Sequence, residues 1–341
     1  MSRINFDECV ELLTNGDLLE LGQTADKIRR KKFGDVVTFI IDRNINYTNI
    51  CKNECKFCAF WRRKNHKGAY VLSHEEILKK VRETVEAGGT QVMIQGGLNP
   101  DLPLTYYEEM LRGIKKNFNV TIHSFTATEI LHFAQMEGLT ILDTLKRLQE
   151  AGLDSLPGGG AEILVDEVRK KISPKKIMTD DWLKVMRLAH SIGMKTTATM
   201  VIGFGETYRQ RIEHMEKIRR LQDETGGFRA FITWTYQPKN TILGGEKINS
   251  WDYMKTLAVT RIFLDNIEHI QGSWVTQGER IGQLTLGFGA DDLGSIMLEE
   301  NVVRAAGTAF EMSIDKMVRL IRGAGKIPAQ RNTKYEILKR F

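Results

Sequence analysis

The sequence predicts an α/β fold, a (β/α)8-type TIM barrel with an N-terminal helical extension and C-terminal elements. Three observations predict it. Short runs, apolar throughout as strands covered on both faces are, alternate with helical periodicity at βα spacing. Seven or eight such runs occur, a count that suits closure into a barrel better than an open doubly wound sheet. No linker rich in Pro, Gly or Ser divides the 341 residues.

From Phe6 to Arg30 the spacing predicts two helices. Phe6, Val10 and Leu13 share one apolar face; Leu18, Leu21, Ala25 and Ile28 share another after the break at Asn15, Gly16 and Asp17. Cys9 falls on the first face as a buried, inert thiol. Val36 to Ile50 is rich in β-branched and aromatic residues and reads as strand. A capping-box start at Ser73 opens a helix that runs to Ala87, before a strand at 91–94. Helix 105–117 precedes strand 120–124, and helices across 128–151 precede strand 153–156. Helix 179–193 precedes strand 195–202, and the amphipathic helix 207–224 precedes strand 230–235. Helix 250–266 leads to a short strand around 271–275, and another helix is expected to start near Leu293. The barrel then occupies 36–310, between a helical extension at 1–35 and a C-terminal extension at 311–341 packed on it.

Composition narrows the function classes. Lys and Arg number 49 against 43 Asp and Glu, a formal charge of +6, and the two signs are interspersed along helical runs as on solvated faces. The compact basic clusters, Arg29 to Lys32 and Arg62 to Lys67, lack the interleaved aromatics of a single-strand binding platform, so nucleic acid is not an expected partner. No apolar run is long enough to cross a bilayer and the first residues carry no apolar leader, so no membrane partner and a cytoplasmic location are expected. Reducing surroundings there suit thiolate ligands.

Chemistry is concentrated in the loops after the strands, the end of a barrel where active sites form. After the first strand come Cys51, Cys55 and Cys58, spaced C-x3-C-x2-C in a chain with one other cysteine. Three thiolates leave a metal or cluster one protein ligand short, so one metal position stays open to a small molecule. Zinc is the competing occupant and would take a fourth ligand; His66 is the near candidate, and a zinc-containing hydrolytic barrel the corresponding alternative. Gln95, Gly96 and Gly97 follow the second strand, and Gly158, Gly159, Gly160 and Glu162 the fourth. Gly203, Phe204, Gly205 and Glu206 follow the fifth. Glycines in such loops let backbone approach a ligand closely, although each alone is equally a tight turn.

The cysteine loop, with Phe57 just before Cys58, resembles that of the radical S-adenosylmethionine enzymes. The segments Asn46 to Cys51, Asp154 to Glu162 and Trp234 to Thr241 resemble the menaquinone and deazaflavin-cofactor branch of that family. Leu221 to Phe228, Ser273 to Gly278 and Gly289 to Gly294 are similar to its members in the futalosine route to menaquinone. The resemblance implies a [4Fe-4S] cluster on Cys51, Cys55 and Cys58, its open iron chelated by S-adenosyl-L-methionine. It implies cofactor contacts from Phe57, Gln95, Gly96, Gly97, Glu162, Gly203 and Glu206. One departure is Phe204, where relatives of the branch are expected to carry histidine.

The same resemblance implies a nucleoside-like small-molecule substrate and an external one-electron donor of flavodoxin or ferredoxin type. A 5′-deoxyadenosyl radical would take hydrogen from the ribose C4′ of the substrate, and the sugar radical would add to a benzoate ring. Rearomatisation then needs a base, and the carboxylate needs a cation or donor set. Asp292, Asp291 and His123 are the candidate bases; Gln237, Asn240, Trp274, Gln277 and Arg280 are candidate substrate contacts. Plainer readings exist: His123 as a satisfied core histidine, Arg280 as a solvated helix residue, Asp291 or Asp292 as a helix cap.

Overall fold

The computed structural model describes residues 3–341. Helices α1 (Phe6–Asn15) and α2 (Leu18–Phe33) lead the chain, each started by a side chain, Asn5 or Asp17, that accepts from first-turn N–H groups. Their apolar faces bury Cys9, Leu13, Leu21 and Ala25 against helices Tyr208–Thr225 and Ser250–Phe263 on the outside of the sheet.

Ten strands follow: β1 (Val36–Ile40), β2 (Asn44–Ile45), β3 (Gln91–Ile94), β4 (Thr121–Ser124), β5 (Thr196–Ile202), β6 (Phe228–Thr235), β7 (His269–Gln271), β8 (Asp292–Ser295), β9 (Ile327–Arg331) and β10 (Ile337–Arg340). β2, β3 and β4 pair in parallel, and single-residue pairings His123 with Ser155 and Leu156 with Thr196 carry the sheet on to β5. From β5 the parallel order continues through β6, β7 and β8 to β1. β1 and β2 are two pieces of one stave, because the chain leaving β8 bonds along both. Ile296 N donates to Ile40 O, Leu298 N to Asp42 O, and Asn44 N to Glu299 O. The circuit closes as a (β/α)8-type barrel, with one apolar cluster running between staves and helices.

Three local expectations are corrected. The fourth stave is reduced to the pairings of Ser155 and Leu156. The seventh is His269–Gln271, and the chain has left it before Val275. The helix expected near Leu293 is instead β8, fully buried. Asp291 and Asp292 look like caps in sequence, but their carboxylates bond to buried arginines inside the fold. The last residues also do more than lie on the barrel. β9 joins the sheet beside β1, β10 folds back antiparallel, and the turn between them brings Arg331, Thr333 and Tyr335 to the barrel interior.

Candidate active site

The cysteine loop is held by backbone and charge. Ile50 pairs with Arg62, Cys51 N donates to Arg62 O at 3.1 Å, and the Arg62 guanidinium donates to the carbonyls of Ala59 and Trp61. Glu54 takes a positive φ of 47° and is pinned by Arg63 at 2.6 Å and Lys175 at 2.7 Å. Cys51, Cys55 and Cys58 are free thiols lining one pocket together with Phe57, Gln95, Gly96, Gly97, Thr128, Gly159, Gly160, Glu162 and Lys176. Burial pushes the Cys55 thiol up to about 12 and the Cys58 thiol in the same direction, so both are neutral thiols and a bound cation would be needed to hold them as thiolates.

Glycine is required in these loops by close approach. A Cβ on Gly97 would stand 2.2 Å from Ile50 O, and one on Gly96 2.5 Å from the Tyr47 ring, so the second loop can lie directly on the cysteine loop only if it is bare. Beneath it Glu129 accepts from Tyr47 Oη, Gly96 N, Thr126 N and Thr126 Oγ1. Burial raises this carboxyl, and its oxygens are committed to holding the loop. Glu162, also at positive φ, accepts from Lys176 Nζ at 2.8 Å through one oxygen, while its Oε2 and the nearby Thr128 Oγ1 are buried without a hydrogen-bond partner. A ligand bearing amino and hydroxyl groups would satisfy both.

A second, deeper cavity occupies the barrel interior. Gln95, Gly159, Gly160 and Glu162 line it as well as the cysteine pocket, so the two spaces share a wall. Ile40, Met93, Ile232 and Trp234 supply its apolar surface; Asp42, His123, Arg229, Arg331 and Tyr335 are among its polar groups. Ser155 Oγ spends its hydrogen on Lys195 O at 2.7 Å, so at 2.8 Å it must accept from His123 Nδ1. That fixes the tautomer: His123 Nε2 carries a lone pair and has no hydrogen-bond partner among the described residues. Burial keeps the ring neutral, well below its ordinary value. Burial likewise raises Asp42, which accepts from Gln91 at 2.5 Å.

Other expected site residues lie elsewhere. Asp292 is clamped by Arg331 Nε at 2.6 Å and Nη2 at 3.0 Å, and accepts from Thr38 Oγ1. Asp291 is bonded to Arg261 and to His269 at 2.6 Å; burial works to raise its carboxyl, but these two partners hold it below the usual range. Neither aspartate lines the cavity. Glu206 accepts from Gly203 N and Phe204 N and pairs with Arg211, so this turn reaches the site only through Phe204, packed 5.4 Å from the Phe57 ring.

Gln237, Asn240, Trp274 and Gln277 are tied to Thr308, Ala305, Ser295 and Thr235 respectively, as the loops after β6 and β7 bond to their neighbours over the mouth. Arg280 is exposed. None of these five lines the barrel cavity. His66 lies in an outer surface pocket with Cys58, away from Cys51 and Cys55. Among the described residues no three His, Cys, Asp or Glu side chains converge as a single ion requires. A cluster asks less, since each thiolate binds a different iron. Lys176 and Arg229 were missed in sequence, where each is one more basic residue in a basic chain.

A closed barrel with three free thiols at the rim and a shared inner cavity is the architecture of a radical S-adenosylmethionine enzyme, and the chain belongs to the Radical SAM superfamily, which matches residues 45–218. That family uses a [4Fe-4S] cluster and S-adenosylmethionine. Residues 225–340 match the CofH/MqnC C-terminal region. The chain is 47% identical to the cyclic dehypoxanthine futalosine synthase of Halalkalibacterium halodurans, over 99% of this chain and 92% of the relative. Its identity to the synthase of that name from Streptomyces coelicolor is also 47%, over 98% and 86%. The aminodeoxyfutalosine synthase of Thermus thermophilus is 38% identical over 98% and 92%. In fold the chain is similar to methylornithine synthase (PylB), with a TM-score of 0.76 at 21% identity, covering 96% of this chain and 94% of the other. Among the described residues no helix is long and apolar enough to cross a membrane.

Proposed function

We propose that this protein is a cyclic dehypoxanthine futalosine synthase, closing the sugar of dehypoxanthine futalosine onto its benzoate ring in menaquinone biosynthesis. The wall of Gln95, Gly159, Gly160 and Glu162 common to the cysteine pocket and the barrel cavity supports the reading, because a substrate in the cavity would lie next to whatever the three cysteines hold. Cys51, Cys55 and Cys58 would hold the cluster. Phe57, the backbone of Gln95, Gly96 and Gly97, and Glu162 would address S-adenosylmethionine, with Lys176 fixing Glu162. Gly203 and Glu206 act at one remove, by shaping the turn that presses Phe204 on Phe57.

When bound, these groups supply the 5′-deoxyadenosyl radical that removes a hydrogen atom from the ribose C4′. The chain does the rest of the work of aiming and protection. Met93, Ile232 and Trp234 give the aromatic ring a dry surface. After closure the ring must lose one proton and one electron; an oxidised one-electron carrier of the flavodoxin or ferredoxin class would take the electron, and His123 Nε2, neutral and free of a hydrogen-bond partner among the described residues, is the acceptor we assign to the proton. A flavodoxin- or ferredoxin-type donor would approach the outer pocket where Cys58 lies beside Arg62, Arg63 and His66.

Anaerobically reconstituted enzyme, given S-adenosylmethionine, reductant and dehypoxanthine futalosine, should yield 5′-deoxyadenosine and a product lighter by two hydrogens. Formation of 5′-deoxyadenosine without that product would move the assignment to a sister reaction such as that of aminodeoxyfutalosine synthase.

A further inference from the structure

Arg229 opens β6 at the end of the barrel opposite the cysteines and lines the inner cavity. Its Nη2 donates to Ser155 Oγ at 2.5 Å, and its Nε is buried without a partner. The buried arginines among the described residues each have a carboxylate within 4 Å: Arg29 has Asp26, Arg169 has Glu162, Arg211 has Glu206 and Asp252, Arg219 has Asp265, Arg261 has Asp291 and Arg331 has Asp292. Arg229 has no carboxylate within ion-pair distance among the described residues. A half-buried guanidinium with its Nε out of water and no carboxylate beside it is costly to keep, and the loss of solvent has already brought it down to about 10. Such a cation on a cavity wall is a binding group awaiting an anion.

The surroundings say which anion. One guanidinium supplies one charge, and its planar fork matches the two oxygens of a carboxylate. The neighbouring surface from Ile232 and Trp234 suits an aryl ring. Ser155 bonds to both Arg229 and His123, so a carboxylate held by Arg229 places its own ring beside the unpartnered His123 Nε2. We propose that Arg229 is the anchor for the aromatic carboxylate of the substrate, turning its sugar toward the cysteine rim. This rests on the function proposed above.

The test compares dehypoxanthine futalosine with its benzoate methyl ester in wild type, Arg229→Gln and Arg229→Lys, each loaded with cluster. Wild type should prefer the acid in kcat/KM, and Arg229→Gln should lose roughly 10- to 100-fold of that preference, as expected for a charged hydrogen bond. Arg229→Lys, with charge but no fork, should keep part of it. A merely structural role would slow both compounds alike; an unchanged acid-to-ester ratio in Arg229→Gln overturns the assignment. Inhibition by bare benzoate needs no variant: wild type should be inhibited by benzoate and not by methyl benzoate, and equal inhibition by both also overturns it. Failure of wild type to convert the acid at all refutes instead the function on which the proposal rests.

Discussion

Replacing Asp292 by Asn separates a catalytic aspartate from a structural one. Its side chain is fully buried, with Arg331 across both oxygens, Thr38 Oγ1 on one and Gly294 N on the other. Asn keeps the shape but removes the charge and turns an amide N–H₂ toward the guanidinium. Breaking one side of a buried pair in this way costs about 3–5 kcal/mol, because Arg331 is left charged and alone. At about 2.1 cal/mol/K of unfolding entropy per residue, 341 residues give about 0.7 kcal/mol/K, so the unfolding midpoint should fall by about 4–7 °C. Circular dichroism on the cluster-free protein measures it. Asp292→Asn with Arg331→Gln should recover much of the loss, since no uncompensated charge then remains. An unchanged midpoint combined with abolished turnover would show that Asp292 moves the proton, and the structural reading would be wrong.

Two further outcomes are expected. Cys51→Ala, Cys55→Ala and Cys58→Ala should each abolish 5′-deoxyadenosine formation, whereas Cys9→Ala, at a thiol on the buried face of α1, should leave it; product from any of the first three removes the three-thiol site. Stability should fall in mild acid through His214, which burial pushes down to about 3 and whose Nδ1 accepts from Leu164 N at 2.9 Å. A depressed folded value means full stability above the unfolded value of about 6.5 and loss as pH drops from there toward the folded value, at about 1.4 kcal/mol per unit. His214→Gln should flatten the midpoint-against-pH slope between about pH 7 and 5 by that one proton, and identical slopes would rule the histidine out.

The staves and the rim were legible in the sequence because each is written locally. A short apolar run bounded by glycine reads as a buried strand wherever it is placed, and three cysteines within eight residues meet in any compact loop. The floor of the barrel was illegible for the opposite reason. Asp292 and Arg331 lie 39 positions apart, and the bond between them exists only once β9 has joined β1. Arg229 follows Gly226, Gly227 and Phe228 as an ordinary charge at a strand start; that it reaches under Ser155, 74 positions away, is a property of closure. The bonds made by the polar residues after β6 and β7 were hidden for a related reason. Gln277 and Thr235 look available in sequence, yet they satisfy each other.

The two ends of the barrel divide the labour along the chain as well as in space. The cysteines, Gln95 to Gly97 and Glu162 fall within residues 45–218, the part shared across the radical S-adenosylmethionine superfamily. Arg229, Arg331 and Tyr335 fall within 225–340, the part shared with the narrower CofH/MqnC group. The second part also seals the cavity: Arg331 is held by Asp292, Thr333 Oγ1 donates to Gln91, and the Tyr335 ring stacks 3.6 Å from His269. A radical needs both a source and a closed space without stray hydrogen donors. On the proposed function the source would stand at the rim and the seal at the floor, so that residues choosing the substrate could vary without disturbing those holding the cofactor. Substrate choice within the branch should therefore follow the floor, and transplanting Arg229 and its neighbours should change which acid is accepted while leaving the cysteine rim as it is.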